Sequence, residues 1–138
     1  PFHIYKEGIG EGILTGGNLT LLSRLTGTPY EVDTRDKILF FEEIGEKPYR
    51  LHGMLTQLKM AGKFEEVKGI IVGDLSGCDT KDRPGTALEA VKDVLADVKC
   101  PVIYGVRAGH IGDSMTLPLH AQVRIEAVEE YGVQFRAI

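Results

Sequence analysis

Apolar and polar positions along the chain recur with two periods, and together they mark out a series of short elements. Residues 2–6 alternate in the manner of a short strand. Leu19, Leu22 and Leu25 fall at helical spacing behind Asn18, a good N-cap. Gly27 ends that helix and Pro29 prevents its return. Lys37 to Ile44 is almost wholly apolar until its two carboxylates, Glu42 and Glu43, as in a strand buried on both faces. Pro48 suits the first turn of the next helix, with Glu46 nearby. Leu51, Met54, Leu55, Leu58 and Ala61 line one face of it, and Gly62 stops it. Residues 67–72 form another buried strand, followed by a polar loop through Pro84. Residues 86–97 form an amphipathic helix with Ala87, Leu88, Val91, Val94 and Leu95 inward, and Pro101 to Gly105 a further strand. The tail changes character. Residues 115–119, 122–128 and 132–138 alternate, with a turn at Glu129 to Gly132, as in an antiparallel meander with one wet face. The pattern predicts one α/β domain over residues 1–138, with parallel central strands and helices followed by C-terminal antiparallel strands.

Gly8-Ile9-Gly10-Glu11-Gly12 interrupts this pattern. The spacing lacks the Gly-x-Gly-x-x-Gly dinucleotide fingerprint, and a glutamate in its middle repels an anion. Tight turns or close backbone packing are the expectation there, not a phosphate site. A length of 138 residues fits one domain with a sizeable core. A formal net charge of −4, with basic residues scattered among acids, gives no nucleic-acid footprint. No apolar run approaches the ~20 residues of a membrane span, and no signal segment is read at the start. Cys78 and Cys100 lack Cys-x-x-Cys spacing and are expected to be reduced. The opening Pro1-Phe2-His3-Ile4, without Met, reads as cut from something longer.

Ligands gather at the carboxyl ends of strands in such sheets. Three strand ends carry polar groups: Glu42/Glu43, Asp74/Ser76, and the loop Gly105 to Leu119 that holds His110 between Gly109 and Gly112. Histidine gains and loses a proton near neutral pH, so His110 is a general-base candidate, with a locally hydrogen-bonded loop histidine as the plainer reading. A carboxylate from one strand end and this histidine make a base and its orienter. Alternation sends Glu42 and Glu43 to opposite faces, which argues against a paired-carboxylate glycosidase site and leaves open which of them is used. The nucleophile is missing: Ser23, Ser76 and Ser114 read as cap or turn residues, without a Gly-x-Ser-x-Gly elbow. His3, His52, His110 and His120 show no metal-ligand spacing, and no metal or cofactor is expected.

These residues bring a family into view. Gly-Gly-Asn-Leu-Thr-Leu-Leu at 16–22, Gly-Thr-Pro at 27–29, Ile-Leu-Phe-Phe-Glu-Glu-Ile-Gly-Glu-Lys-Pro-Tyr-Arg at 38–50 and Met-Leu-Thr-Gln-Leu at 54–58 carry the likeness. Ala-Gly at 61–62, Gly-Ile-Ile-Val-Gly at 69–73, Pro-Val-Ile-Tyr-Gly at 101–105, Gly-His at 109–110 and Thr-Leu-Pro-Leu at 116–119 continue it. Over essentially its whole length the chain resembles the C-terminal domain of the LD-carboxypeptidases, serine peptidases that include the microcin-immunity hydrolases. The resemblance implies a layered β/β/α swivelling-type domain and a Ser-Glu-His triad split across two domains. Glu42 and His110 match the family's glutamate and histidine, and the serine belongs to an N-terminal domain outside these residues. It further implies a murein tetrapeptide substrate cut before its terminal D-alanine, a role in cytoplasmic cell-wall recycling, and a homo-oligomer. The chain alone is then expected to be inactive. The rival expectation is a non-catalytic binding or assembly module of the same fold. The chain departs from the family at His52-Gly53, where an acid and a second arginine are usual, and at His120, where glycine is common. Roles for Glu43, His52 and His120 stay open.

Overall fold

A computed structural model describes residues 2–138. Ten elements follow in chain order. They are β1 (His3–Lys6), β2 (Gly8–Asn18), α1 (Leu19–Leu25), β3 (Lys37–Glu42), α2 (Pro48–Met60), β4 (Gly69–Val72), α3 (Thr86–Val94), β5 (Val102–Tyr104), β6 (Gln122–Val128) and β7 (Gly132–Ala137). The strands form one sheet in the order β1-β5-β4-β3-β2-β6-β7. β2, β3, β4 and β5 pair in parallel, as helical crossovers require. β1 joins β5 antiparallel at one edge, and β6 and β7 continue antiparallel from β2 at the other. The sheet curls until β1 lies against β6 and β7.

The apolar run of β3 is explained by cores on both of its faces. Leu39 and Phe41, with Ile70 and Val72 of β4, pack beneath Leu51, Leu55 and Leu58 of α2 and Ala87, Val91 and Val94 of α3. Ile38 and Phe40, with Ile71 and Ile103, face the other way. They meet Val123, Ile125 and Ala127 of β6 and Val106 and Ala108 of the loop that follows β5. Each Val, Leu, Ile or Phe side chain buried in this way contributes about 1.5–3 kcal/mol. Asn18 caps α1, its Oδ1 accepting from the Leu21 amide at 3.2 Å. The Asp79 carboxylate caps α3 from the preceding loop, accepting from Gly85 N at 3.0 Å and Ala87 N at 2.9 Å.

Two expectations are corrected. Residues 8–18 are a continuous strand and not a set of turns. Of the two alternatives, close backbone packing is the one observed. A Cβ at Gly10 would lie 2.0 Å from the Lys68 carbonyl oxygen, and one at Gly16 would lie 1.8 Å from that of Phe40. Residues 115–119 are irregular, although their alternation read as a strand. Pro118 has no N–H to offer a ladder. β6 pairs with β2 only over residues 8–13, and just beyond it Leu14 exchanges hydrogen bonds with His120 N and Ala121 O. Smaller differences lie at the ends: β4 begins at Gly69 rather than residue 67, and α3 ends at Val94.

Candidate functional site

The site lies where β3 ends beside the loop after β5. Glu42 is the last residue of β3 and shares the face of Ile38 and Phe40, so its side chain turns away from the helices. It is only 6% exposed. The loop reaches it because Gly109 stands at φ +145°, where a Cβ would meet Glu42 Oε2 at 3.0 Å. The Asp74 amide donates to Ala108 O at 2.9 Å, and Met115 N donates to Arg107 O at 2.6 Å. The Gly109 amide donates to Ser114 Oγ at 3.2 Å. These bonds pin a segment that has no regular structure.

His110 follows directly, with its Nδ1 3.1 Å from Glu42 Oε2. As a carboxylate Glu42 can only accept, so Nδ1–H donates and Nε2 of the neutral ring keeps a free lone pair. The histidine side chain is 59% exposed, against 7% for the glutamate's. The pair borders a groove of about 330 Å³ lined also by Gly17, Phe40, Ser114, Met115 and Leu117. A buried carboxylate holding an exposed imidazole by one nitrogen orients a base toward whatever fills the groove.

Glu43, equally buried, is used differently. It accepts from the Thr20 amide at 3.0 Å, and both of its oxygens lie 3.0 Å from Thr20 Oγ1 in α1. Alternation alone left open which glutamate meets the histidine; the family likeness pointed to Glu42, and the geometry pairs Glu42 with it. Asp74 and Ser76, the third polar strand end, bond to each other: Ser76 N donates to Asp74 Oδ2 at 2.9 Å. Neither lines the groove. His52 reaches across to α3, its Nε2 2.7 Å from Asp93 Oδ2. His120 adopts the left-handed conformation at φ 67°, the geometry a glycine takes without cost, in the turn that docks on β2. No group of three metal-ligating side chains occurs among the described residues.

No serine or cysteine side chain among the described residues hydrogen-bonds to His110. Cys78 and Cys100 are both buried and free. Burial above all pushes the Cys78 thiol up, with the nearby Glu43 and Asp74 charges adding to it. Burial pushes Cys100 up to about 11. Both therefore stay protonated at neutral pH and are poor nucleophiles. The sequence reading missed Asn18 as a neighbour of the pair: its Nδ2 donates to Glu42 Oε1 at 3.2 Å and Glu43 Oε1 at 3.3 Å. Only its N-cap pattern was visible, because cross-strand register, which sets Asn18 opposite Glu42, is not written in local spacing.

The family model for the LD-carboxypeptidase C-terminal domain matches residues 11–125. The chain belongs to the LD-carboxypeptidase family. This LD-carboxypeptidase domain is 41% identical over 135 residues to a probable murein peptide carboxypeptidase of Bacillus subtilis (strain 168), covering 96% of the chain and 42% of that relative. Among solved structures it superposes on a muramoyltetrapeptide carboxypeptidase from Oxalobacter formigenes with a TM-score of 0.82 at 30% identity, over 97% of this chain and 48% of that one. The microcin C7 self-immunity protein MccF gives a TM-score of 0.84 at 25% identity, over 99% and 41%. The domain thus spans less than half the length of the relatives it matches. No helix among the described residues is long and apolar enough to cross a membrane.

Proposed function

We propose that this domain supplies the glutamate and histidine of a Ser-Glu-His triad in a serine-type LD-carboxypeptidase. The serine comes from a further, N-terminal domain of the same protein. The reading rests on one observation, the 3.1 Å contact between Glu42 Oε2 and His110 Nδ1 beside a groove. His110 Nε2 takes the serine hydroxyl proton as its oxygen attacks the L,D peptide carbonyl. It then delivers that proton to the nitrogen of the departing D-alanine, leaving an acyl-enzyme that water hydrolyses by the same route. Glu42 keeps the ring in the Nδ1–H tautomer and stabilises the imidazolium formed in each transfer. The substrate class, a murein tetrapeptide, is supported by the names of the relatives; a place in cytoplasmic recycling of cell-wall peptides is part of the same proposal.

The test is made in the protein that carries the serine domain. Glu42→Gln and His110→Ala, assayed separately on an L,D-linked tetrapeptide, should each lower kcat by roughly 10³-fold or more. The chain of residues 1–138 alone should show no turnover, because it lacks nucleophile and oxyanion donors. Full activity in both variants would leave a non-catalytic module as the better account.

A further inference from the structure

We propose that Asn18 is a positioning residue for the Glu42–His110 pair, with Glu43 as the anchor that holds it. The proposal rests on the reading of that pair as triad members. Glu42 has two side-chain hydrogen-bond partners among the described residues: His110 on Oε2 and Asn18 on Oε1. Asn18 is therefore what fixes the plane of this carboxylate from the side away from the ring. Without it the carboxylate turns about its last bond, and Oε2 faces Nδ1 only part of the time. The imidazole, more than half exposed on an irregular loop, makes no other side-chain hydrogen bond among the described residues.

The direction of the amide is decided by its surroundings. Asn18 Oδ1 accepts from Leu21 N at 3.2 Å, which turns Nδ2 toward the two glutamates. Its two protons serve Glu42 Oε1 at 3.2 Å and Glu43 Oε1 at 3.3 Å. Reversing the amide would lose the cap and set an oxygen against two carboxylates. Glu43 cannot drift, since the Thr20 amide and hydroxyl hold both of its oxygens. The adjacent acids thus have separate tasks. Glu42 meets the histidine, and Glu43 fixes the group that fixes Glu42. A residue acting in this way never touches substrate; it sharpens the tautomer and angle of the base.

The experiment uses the chain itself and needs no catalysis. Long-range 1H–15N correlation spectra of the His110 ring, taken where the ring is neutral, report which nitrogen carries the proton. Asn18→Ser keeps an N-cap oxygen and removes the Nδ2 donor. It should move the ring nitrogens toward the values seen in Glu42→Gln, with loss of the Nδ1–H preference, while the amide spectrum of α1 is retained. Glu43→Gln should shift them in the same direction by less, and it carries the test if Asn18→Ser does not fold. Ring shifts unchanged in both variants, against a clear change in Glu42→Gln, overturn the role of Asn18 and leave the pair standing. A ring unmoved even by Glu42→Gln removes the pairing, and the role of Asn18 falls with it.

Discussion

The two faces of the sheet are held by different means. On one, α2 and α3 lay regular apolar stripes over Leu39, Phe41, Ile70 and Val72, and stability there comes from area removed from water. On the other, the irregular loop from Gly105 to Ala121 lies across part of the sheet near Glu42. Val106 and Ala108 plug into the core, while backbone bonds to Asp74, Arg107 and Leu14 fix its course. The first face tolerates little loss of volume. The second brings an acid and an imidazole within 3.1 Å by exact placement of a few small residues. Both sides of β3 carry apolar core, but the acid–imidazole pair lies on one side alone.

Substitutions on each face sharpen that contrast. Leu55→Ala, at a side chain with no exposure, should cost about 2–5 kcal/mol in denaturant unfolding and leave the His110 ring spectrum as it was. A ring that shifts in a folded Leu55→Ala protein would show that the faces are not independent. Gly109→Ala is the reciprocal case: its Cβ would press on Glu42 Oε2 at 3.0 Å in a conformation alanine rarely adopts. Turnover of the serine-bearing protein should fall on the order of 10²-fold through misplacement of the base, with a smaller fractional loss of stability.

Cys100, on the helix-covered face, offers a pH signature of burial. Its folded value near 11 lies above the ordinary 9.0, so the unfolded chain releases the proton first. Stability from this group is full below pH 9 and declines as pH rises toward 11, by on the order of 2 kcal/mol. Cys100→Ala should flatten that part of the stability–pH curve relative to the parent chain; parallel curves would mean the thiol is not desolvated. The smallest effect belongs to the loop face. His120→Gly relieves a left-handed residue but loosens the unfolded chain, and the net gain should stay under about 1 kcal/mol by thermal unfolding.

The same contrast governed what could be read from sequence. The helix-covered face announces itself through Leu51, Leu55 and Leu58 and through the unbroken run of β3, because those patterns are local. Around Gly10 the choice between a tight turn and close backbone packing stayed open, since the Lys68 carbonyl that forbids a side chain there is far away in sequence. Met115 and Leu117 alternate like a strand but line the groove instead. Glu42 and His110 were legible as strand-end residues and through the family likeness. The bridge through Asn18 was not, because it depends on which strands lie side by side.

β2 belongs to both halves of the sheet. Ile13 faces Lys37 in the parallel register and Gln122 in the antiparallel one, so a single strand carries the two pairings end to end. Each half leans on that strand, so losing one removes support from the other. Heat should therefore melt the whole domain in one transition, with helix signal and tail-strand signal vanishing together.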